Sequence, residues 1–213
     1  MKKILLLFIG PALFAATPQY KSPAITVPAA SADEAVLKQF SLAKADDYLE
    51  KGALAWTRKR GCVTCHTTGT YMQIRPELTS VLGKPTEEVR DLLTDELAEL
   101  QKMKHADLLK KTKPAEIIYT AAGLAQWDRH VSGKLSAETQ GALELMFRTQ
   151  EKSGTWHSVV LCPPLESSAF QEATVAAMAV ASAPQWRGNL KDEKLKAGIG
   201  LLQKYLRETK PPH

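Results

Sequence analysis

Cys62, Cys65 and His66 lie in the stretch RKRGCVTCHTTG, from Arg58 to Gly69. Two thiols three positions apart, with an imidazole directly after the second, suit three chemistries. The thiols can add to two vinyl groups on one edge of a porphyrin, which brings the histidine under the iron as axial ligand. They can supply half of a tetrahedral zinc site. They can also cycle between dithiol and disulfide. A zinc site needs two more ligands; His157 and Cys162 could complete it, but there is no second C-x-x-C. A thioredoxin-type disulfide opens a helix after a strand, and the pattern before Cys62 is helical. One covalent haem c is the best fit, with Cys62 and Cys65 as thioethers and His66 on the iron.

The sixth ligand stays open among Met72, Met103, His105, His130 and His157. Met72 is only six residues from His66, close for reaching the opposite face. Met103 continues an apolar helix stripe, and His105 stands among lysines. His130 follows a helix end, where the dipole favours a histidine without metal. His157 adjoins Trp156. A methionine would favour electron transfer at higher potential, whereas an open position would admit small molecules. Cys162, in LCPPL, reads as a small buried apolar residue. Three cysteines imply no disulfide framework.

The segment RPELTSVLGK, from Arg75 to Lys84, resembles the G-P-x-L-x-G-x-x-G-[KR] loop of class I cytochromes c. Arg75 and Ser80 stand where that loop has its first two glycines. The resemblance implies that the Pro76 carbonyl accepts the Nδ1–H of His66, orienting the ring and raising its basicity. It gives Leu78 a packing duty, and Arg75 becomes a candidate to meet a haem propionate.

A second resemblance lies further on. LELMFRTQEKSGTWHS contains Gln150, Gly154 and Trp156 as Q-x3-G-x-W, which resembles the QW motif of the squalene–hopene cyclase and prenyltransferase α/α toroids. It implies that Gln150 ties helix ends together while Trp156 stacks below. An offset of 91 residues lays Trp56 over Phe147 and Cys65 over Trp156. An offset of 58 lays Tyr205 over Phe147, and the next Gly-x-Trp would begin at Pro212. The pattern is two and a half repeats, with the cysteine motif replacing the first Gly-x-Trp. Such repeats bury their faces only against neighbours, so a missing half, a partner chain or an unusual closure is expected. Terpene cyclases also need an acidic D-x-D-D cluster. ADDYLE and KDEK do not match it and read as solvated helix faces, so the resemblance bears on architecture alone.

The elements that must hold these residues read as helices throughout. At 44% hydrophobic and 24% charged, 213 residues suit one globular domain. Residues 1–16 combine Lys2 and Lys3, an apolar run from Ile4 to Phe14, and Ala15 and Ala16. That is the anatomy of a signal peptide, with an uncleaved anchor as the alternative route to a membrane. Export to a periplasm agrees with haem attachment. Residues 17–32, with three prolines, form a linker.

Residues 33–213 form a single all-α haem-binding domain of consecutive helical hairpins, divided as 33–84, 85–158 and 159–213. Ser31 and Glu34 make a capping box for a helix over 35–59. Its first stripe is Val36, Phe40 and Ala43; its second is Tyr48, Leu49, Gly52, Ala53 and Trp56. Thr86 caps a helix whose face is Val89, Leu92, Leu93, Leu97 and Leu100. Further helices follow Pro114, Ser136, Ser168 and Asp192, with Trp127 and Trp186 as apolar anchors. The formal charge of +5 falls to +3 without Lys2 and Lys3. It could steer acidic partners, but no basic run interleaves with aromatics, which excludes nucleic acid. An exported one-electron carrier, rather than a catalyst, is expected, with an unidentified redox partner. The alternative is a binding or sensor module whose haem detects a ligand or staples the fold.

Overall fold

In a computed structural model the described residues are 20–21, 26–27, 29, 31–33, 38–61, 66–157 and 168–210. The chain divides into two units, Met1–Phe40 and Ser41–His213. The signal-like residues 1–16 lie outside the described residues. Within the first unit β1 (Tyr20–Lys21) pairs antiparallel with β2 (Thr26–Val27), Tyr20 facing Val27 and Lys21 facing Thr26. The linker reading contained no strand. Two residues per strand are too few for an alternating pattern to register.

The second unit is helical. Helix α1 covers Leu42–Arg60. The Oγ of Ser41 accepts the Lys44 N–H at 3.3 Å and caps its start. Gly61 ends it at φ 65°, a left-handed conformation that glycine adopts without a Cβ penalty, and its N–H reaches the Thr57 carbonyl. This start corrects the expected helix from residue 35. Lys38 and Ser41 bracket a bend, and the Oγ of Ser31 accepts the Asp33 N–H two residues on. Glu34 and Val36 lie outside the described residues. The expected stripe is corrected too: Phe40, Tyr48 and Leu49 are exposed, whereas Ala53, Leu54, Ala55 and Thr57 are buried. Small residues in the last half of α1 permit close packing on the next helix.

That helix is α2 (Thr68–Ile74), followed by a 3-10 turn (Arg75–Leu78), α3 (Thr79–Leu82) and α4 (Glu87–Lys102). After α5 (His105–Leu108) comes α6 (Lys113–Trp127), closed by a π turn (Asp128–Ser132). The remaining helices are α7 (Ala137–Arg148), α8 (Ala169–Ser182), α9 (Pro184–Asn189) and α10 (Glu193–Glu208). Ser136, Ser168 and Asp192 each cap their helix with a side-chain oxygen. Val89, Leu93, Leu97 and Leu100 form the buried face of α4.

The centre of the unit is α6, buried along its length from Pro114 to Trp127, with α2, α4, α7 and α8 packed round it. Alanines at 121, 122 and 125 on α6 and at 173, 176 and 179 on α8 are fully or nearly fully buried. Small side chains let the two axes approach. Gly123 marks another close approach, because a Cβ there would lie 2.5 Å from Leu93 Cδ2 and 2.9 Å from Met72 Cβ.

Candidate functional site

Cys62 and Cys65 lie outside the described residues, as does Cys162, so the site is built from its flanks. On one side stands the last turn of α1, with Trp56, Arg58, Lys59 and Arg60 before Gly61. On the other, exposed His66 leads through Thr67 into α2. The two flanks are pinned together. The Thr68 hydroxyl donates to the Ala53 carbonyl at 2.9 Å and hydrogen-bonds the Thr57 hydroxyl, both groups being buried. The cysteine-bearing loop therefore leaves and rejoins the same end of one helix pair.

Aromatic and cationic groups gather there. The rings of Trp56 and His66 meet edge to face, centroids 5.2 Å apart at 73°. The Arg60 guanidinium carbon lies 5.1 Å from the Trp56 ring centroid, a cation over a π face. Arg58 pairs with Glu88 at the start of α4. The Nε1–H of Trp56 is buried and meets no hydrogen-bond acceptor among the described residues.

The 3-10 turn after α2 holds Arg75 and Pro76, both buried. The Pro76 carbonyl accepts the Thr79 hydroxyl at 2.6 Å and the Thr79 N–H, which uses both lone pairs. Arg75, the expected propionate partner, is directed elsewhere. Its Nε and Nη2 bond Asp46 Oδ1 and Oδ2 at 2.6 and 3.0 Å. Its Nη1 donates to the Gly83 carbonyl at 2.9 Å and its Nη2 to the Leu82 carbonyl at 3.4 Å. Burial disfavours the charge of this guanidinium, but the Asp46 bonds and charge outweigh it and raise the pKa.

Asp46 and Glu50 belong to ADDYLE, which the sequence reading treated as a solvated face. The structure corrects this. The Asp46 side chain is 19% exposed. Glu50 accepts from the Tyr71 hydroxyl at 2.9 Å and the Thr86 hydroxyl at 3.1 Å. Burial first, then the Glu50 bond, push the Tyr71 phenol well above its ordinary pKa. Thr86 makes no side-chain cap for α4, because its hydroxyl serves Glu50.

The candidate sixth ligands are scattered over different elements. Met72 on α2 is fully buried against Gly123. Met103 is half-buried against the core at the end of α4. His105 is exposed at the start of α5, His130 half-buried in the π turn, and His157 exposed beside Trp156. Among the described residues no group of three His, Cys, Asp or Glu side chains could hold a metal ion. No described helix is long and apolar enough to cross a membrane.

The Gln150 motif is a structural joint. The Nε2 of Gln150 donates to the Gly154 carbonyl at 2.9 Å and the Gly198 carbonyl at 3.0 Å, joining the loop after α7 to α10. Trp156 is fully buried, and its Nε1 donates to the Met146 carbonyl at 2.8 Å. Phe147 meets Trp156 edge to face and stacks on Trp186.

A further cluster escaped sequence reading. Lys113 on α6 pairs with Glu116 and lies 3.6 Å from Glu96 on α4. The signal was present: position 96 falls seven after Val89 and three after Leu93, on the apolar face of α4. Burial, with Glu116 adding to it against Lys113, raises the Glu96 carboxyl to about 7. No family model, no curated protein and no solved structure matches the chain.

Proposed function

We propose that the chain is an exported monohaem c-type protein that passes single electrons, built on an arc of helices like those of the cyclase and prenyltransferase toroids. The observation that carries this reading is the C-x-x-C-H spacing of Cys62, Cys65 and His66 on a loop whose two ends are tied together through Thr68. Bound there, the iron would supply a one-electron couple. Cys62 and Cys65 would hold the porphyrin edge by thioethers, and His66 would give its imidazole nitrogen to the metal.

The residues beside the loop suit a large apolar ring. Tyr48 and Leu49 are 52% and 58% exposed along α1, and a Cβ on Gly52 would meet nothing within 4 Å. These positions share a stripe with Trp56, leaving apolar surface along α1 that runs toward the motif.

A ligand-sensing role is the second reading, favoured by the burial of Met72 against Gly123. A methionine committed to the core does not reach an iron without repacking. The test is a pyridine haemochrome assay on protein made with a c-type maturation system. Wild-type protein should retain one haem through denaturation, and Cys62→Ala or Cys65→Ala should lower the retained amount. Absence of covalent haem in the wild type removes the proposal. Carbon monoxide then separates the readings: a shifted ferrous spectrum supports sensing, and an unchanged one supports electron transfer.

A further inference from the structure

We propose that the groove lined by α7 and α9 binds an extended peptide segment carrying an acidic side chain. The groove shares no residue with the cysteine motif, so its occupancy and the haem reading can fail separately.

The groove measures about 960 Å3 and lies where α7, α9, the end of α4 and the start of α10 converge. Its polar groups are ordered in rows. Gln140, Glu144 and Arg148 follow one another at every fourth position of α7, and Gln185 and Asn189 do the same on α9. Gln101 joins them from the last turn of α4. None of these six side chains makes a hydrogen bond or ion pair with another described residue. Glu144 and Arg148 stand one turn apart in the order that favours pairing on a helix, and they stay unpaired. Gln101 also has room made for it. Glycine weakens a helix interior relative to alanine, yet Gly141 stands within α7. A Cβ there would lie 2.9 Å from Gln101 Nε2, so the missing side chain admits the Gln101 carboxamide.

Four free carboxamides suit a peptide main chain. Each offers N–H donors and a carbonyl acceptor in one plane, and an extended strand turns both kinds of group outward along its edges. The α7 row from Gln140 to Arg148 spans about 12 Å, the length of about four extended residues. Side chains on the inner side of such a strand meet Leu145, Phe147 and Trp186, the buried apolar part of the lining. A sugar fits less well. Trp186 is 4% exposed and Phe147 is stacked on it at 5.9 Å, which leaves no indole face open to a sugar ring. Charge narrows the choice further. Arg148, Lys191 and Lys194 outnumber Glu144 and Asp192. Asp192 is already committed as the cap of α10, its Oδ1 accepting the Lys194 and Leu195 N–H groups at 2.7 and 3.3 Å. That surplus of cations favours an acidic side chain on the bound segment.

The test is a titration of the 15N-labelled full chain with a capped pentapeptide of alternating leucine and glutamate. It is read on the side-chain NH2 resonances of Gln101, Gln140, Gln185 and Asn189, which should move and saturate together. Gln140→Ala combined with Asn189→Ala should weaken binding about fivefold or more, as the loss of main-chain hydrogen bonds does. Both positions are exposed, so Tm should hold. Gly141→Ala should push the Gln101 amide aside and weaken binding while Tm stays level or rises, since alanine is the better helix former. A leucine–lysine pentapeptide should bind more weakly than the glutamate one. The proposal falls if the NH2 resonances do not move, if the lysine peptide binds equally well, or if folded variants bind as tightly as wild type. Saturable movement with cellopentaose and none with the peptide gives the groove to a sugar and overturns the proposal as well.

Discussion

Asp46 and Asp47 are consecutive carboxylates with opposite situations. Asp46 is bidentate to a buried guanidinium, while Asp47 pairs with Lys51 four residues on, both side chains more than half exposed. Exposed pairs of the second kind contribute about 0.5 kcal/mol or less. Removing one partner of a buried pair leaves the other charge without compensation and costs about 3 kcal/mol. Asp46→Ala should therefore lower the urea midpoint strongly and Asp47→Ala hardly at all. Equal midpoints for the two variants would contradict the buried-pair assignment. Sequence could not separate these neighbours, because the partner of Asp46 stands 29 residues away. Helical periodicity put both on one outer face, and only the 3-10 turn after α2 turns Asp46 inward. Glu50 follows the same logic, with Tyr71 and Thr86 as its distant partners.

At the scale of elements, the α4–α6 contact contains an ionisable group that works against the fold at neutral pH. Glu96 has a folded pKa of about 7, above the ordinary value of 4.5. Between these values the folded state keeps a proton that the unfolded chain has released. Stability from this group is full below pH 4.5 and is lost as the pH rises through 7. Glu96→Gln cannot ionise, while Lys113 keeps Glu116 as its partner. The variant should match the wild type near pH 5 and be more stable at pH 8, by about 1 kcal/mol or some 3 °C in Tm. A thermal melt series across that range checks it, and a variant that is less stable at pH 8 would exclude the mechanism. Most helices were readable beforehand, since Ser136, Ser168, Asp192 and Gly61 are local signals acting within three residues of an end. Ser31 offered an equally good local signal, and its hydroxyl accepts the Asp33 N–H. Glu96 was legible only as a misfit on an apolar face, with its partners on another helix.

Across the whole molecule, the motif was legible because Cys62, Cys65 and His66 sit within five residues, whereas its surroundings depend on contacts that no local pattern encodes. Arg75 illustrates the limit: the residue was found, but the structure spends its donors on Asp46. Helix α6 illustrates it differently. Ile117, Ile118, Ala121, Leu124 and Ala125 recur along it at helical spacing, yet every residue from Pro114 to Trp127 is buried. Four helices surround it, so it has no outer face. Its amides can reach water only when that surround comes apart, which ties their exchange to global unfolding. Helix α10 is the contrast, burying only Gly198 and Leu202 of its residues and leaving Leu201 39% exposed. Gln150 and the close contact of Leu201 with Gly154 hold it at one end of the core, but local opening there exposes little apolar surface. Native-state hydrogen exchange should find Ile118 to Leu124 slower than Ile199 to Tyr205 by about tenfold or more, the factor that about 1.4 kcal/mol makes. Mild urea should speed the α6 amides with the slope of global unfolding and the α10 amides with a shallower one. Equal protection and equal slopes would mean that the unit opens only as a whole, and that α6 is not its last element to yield.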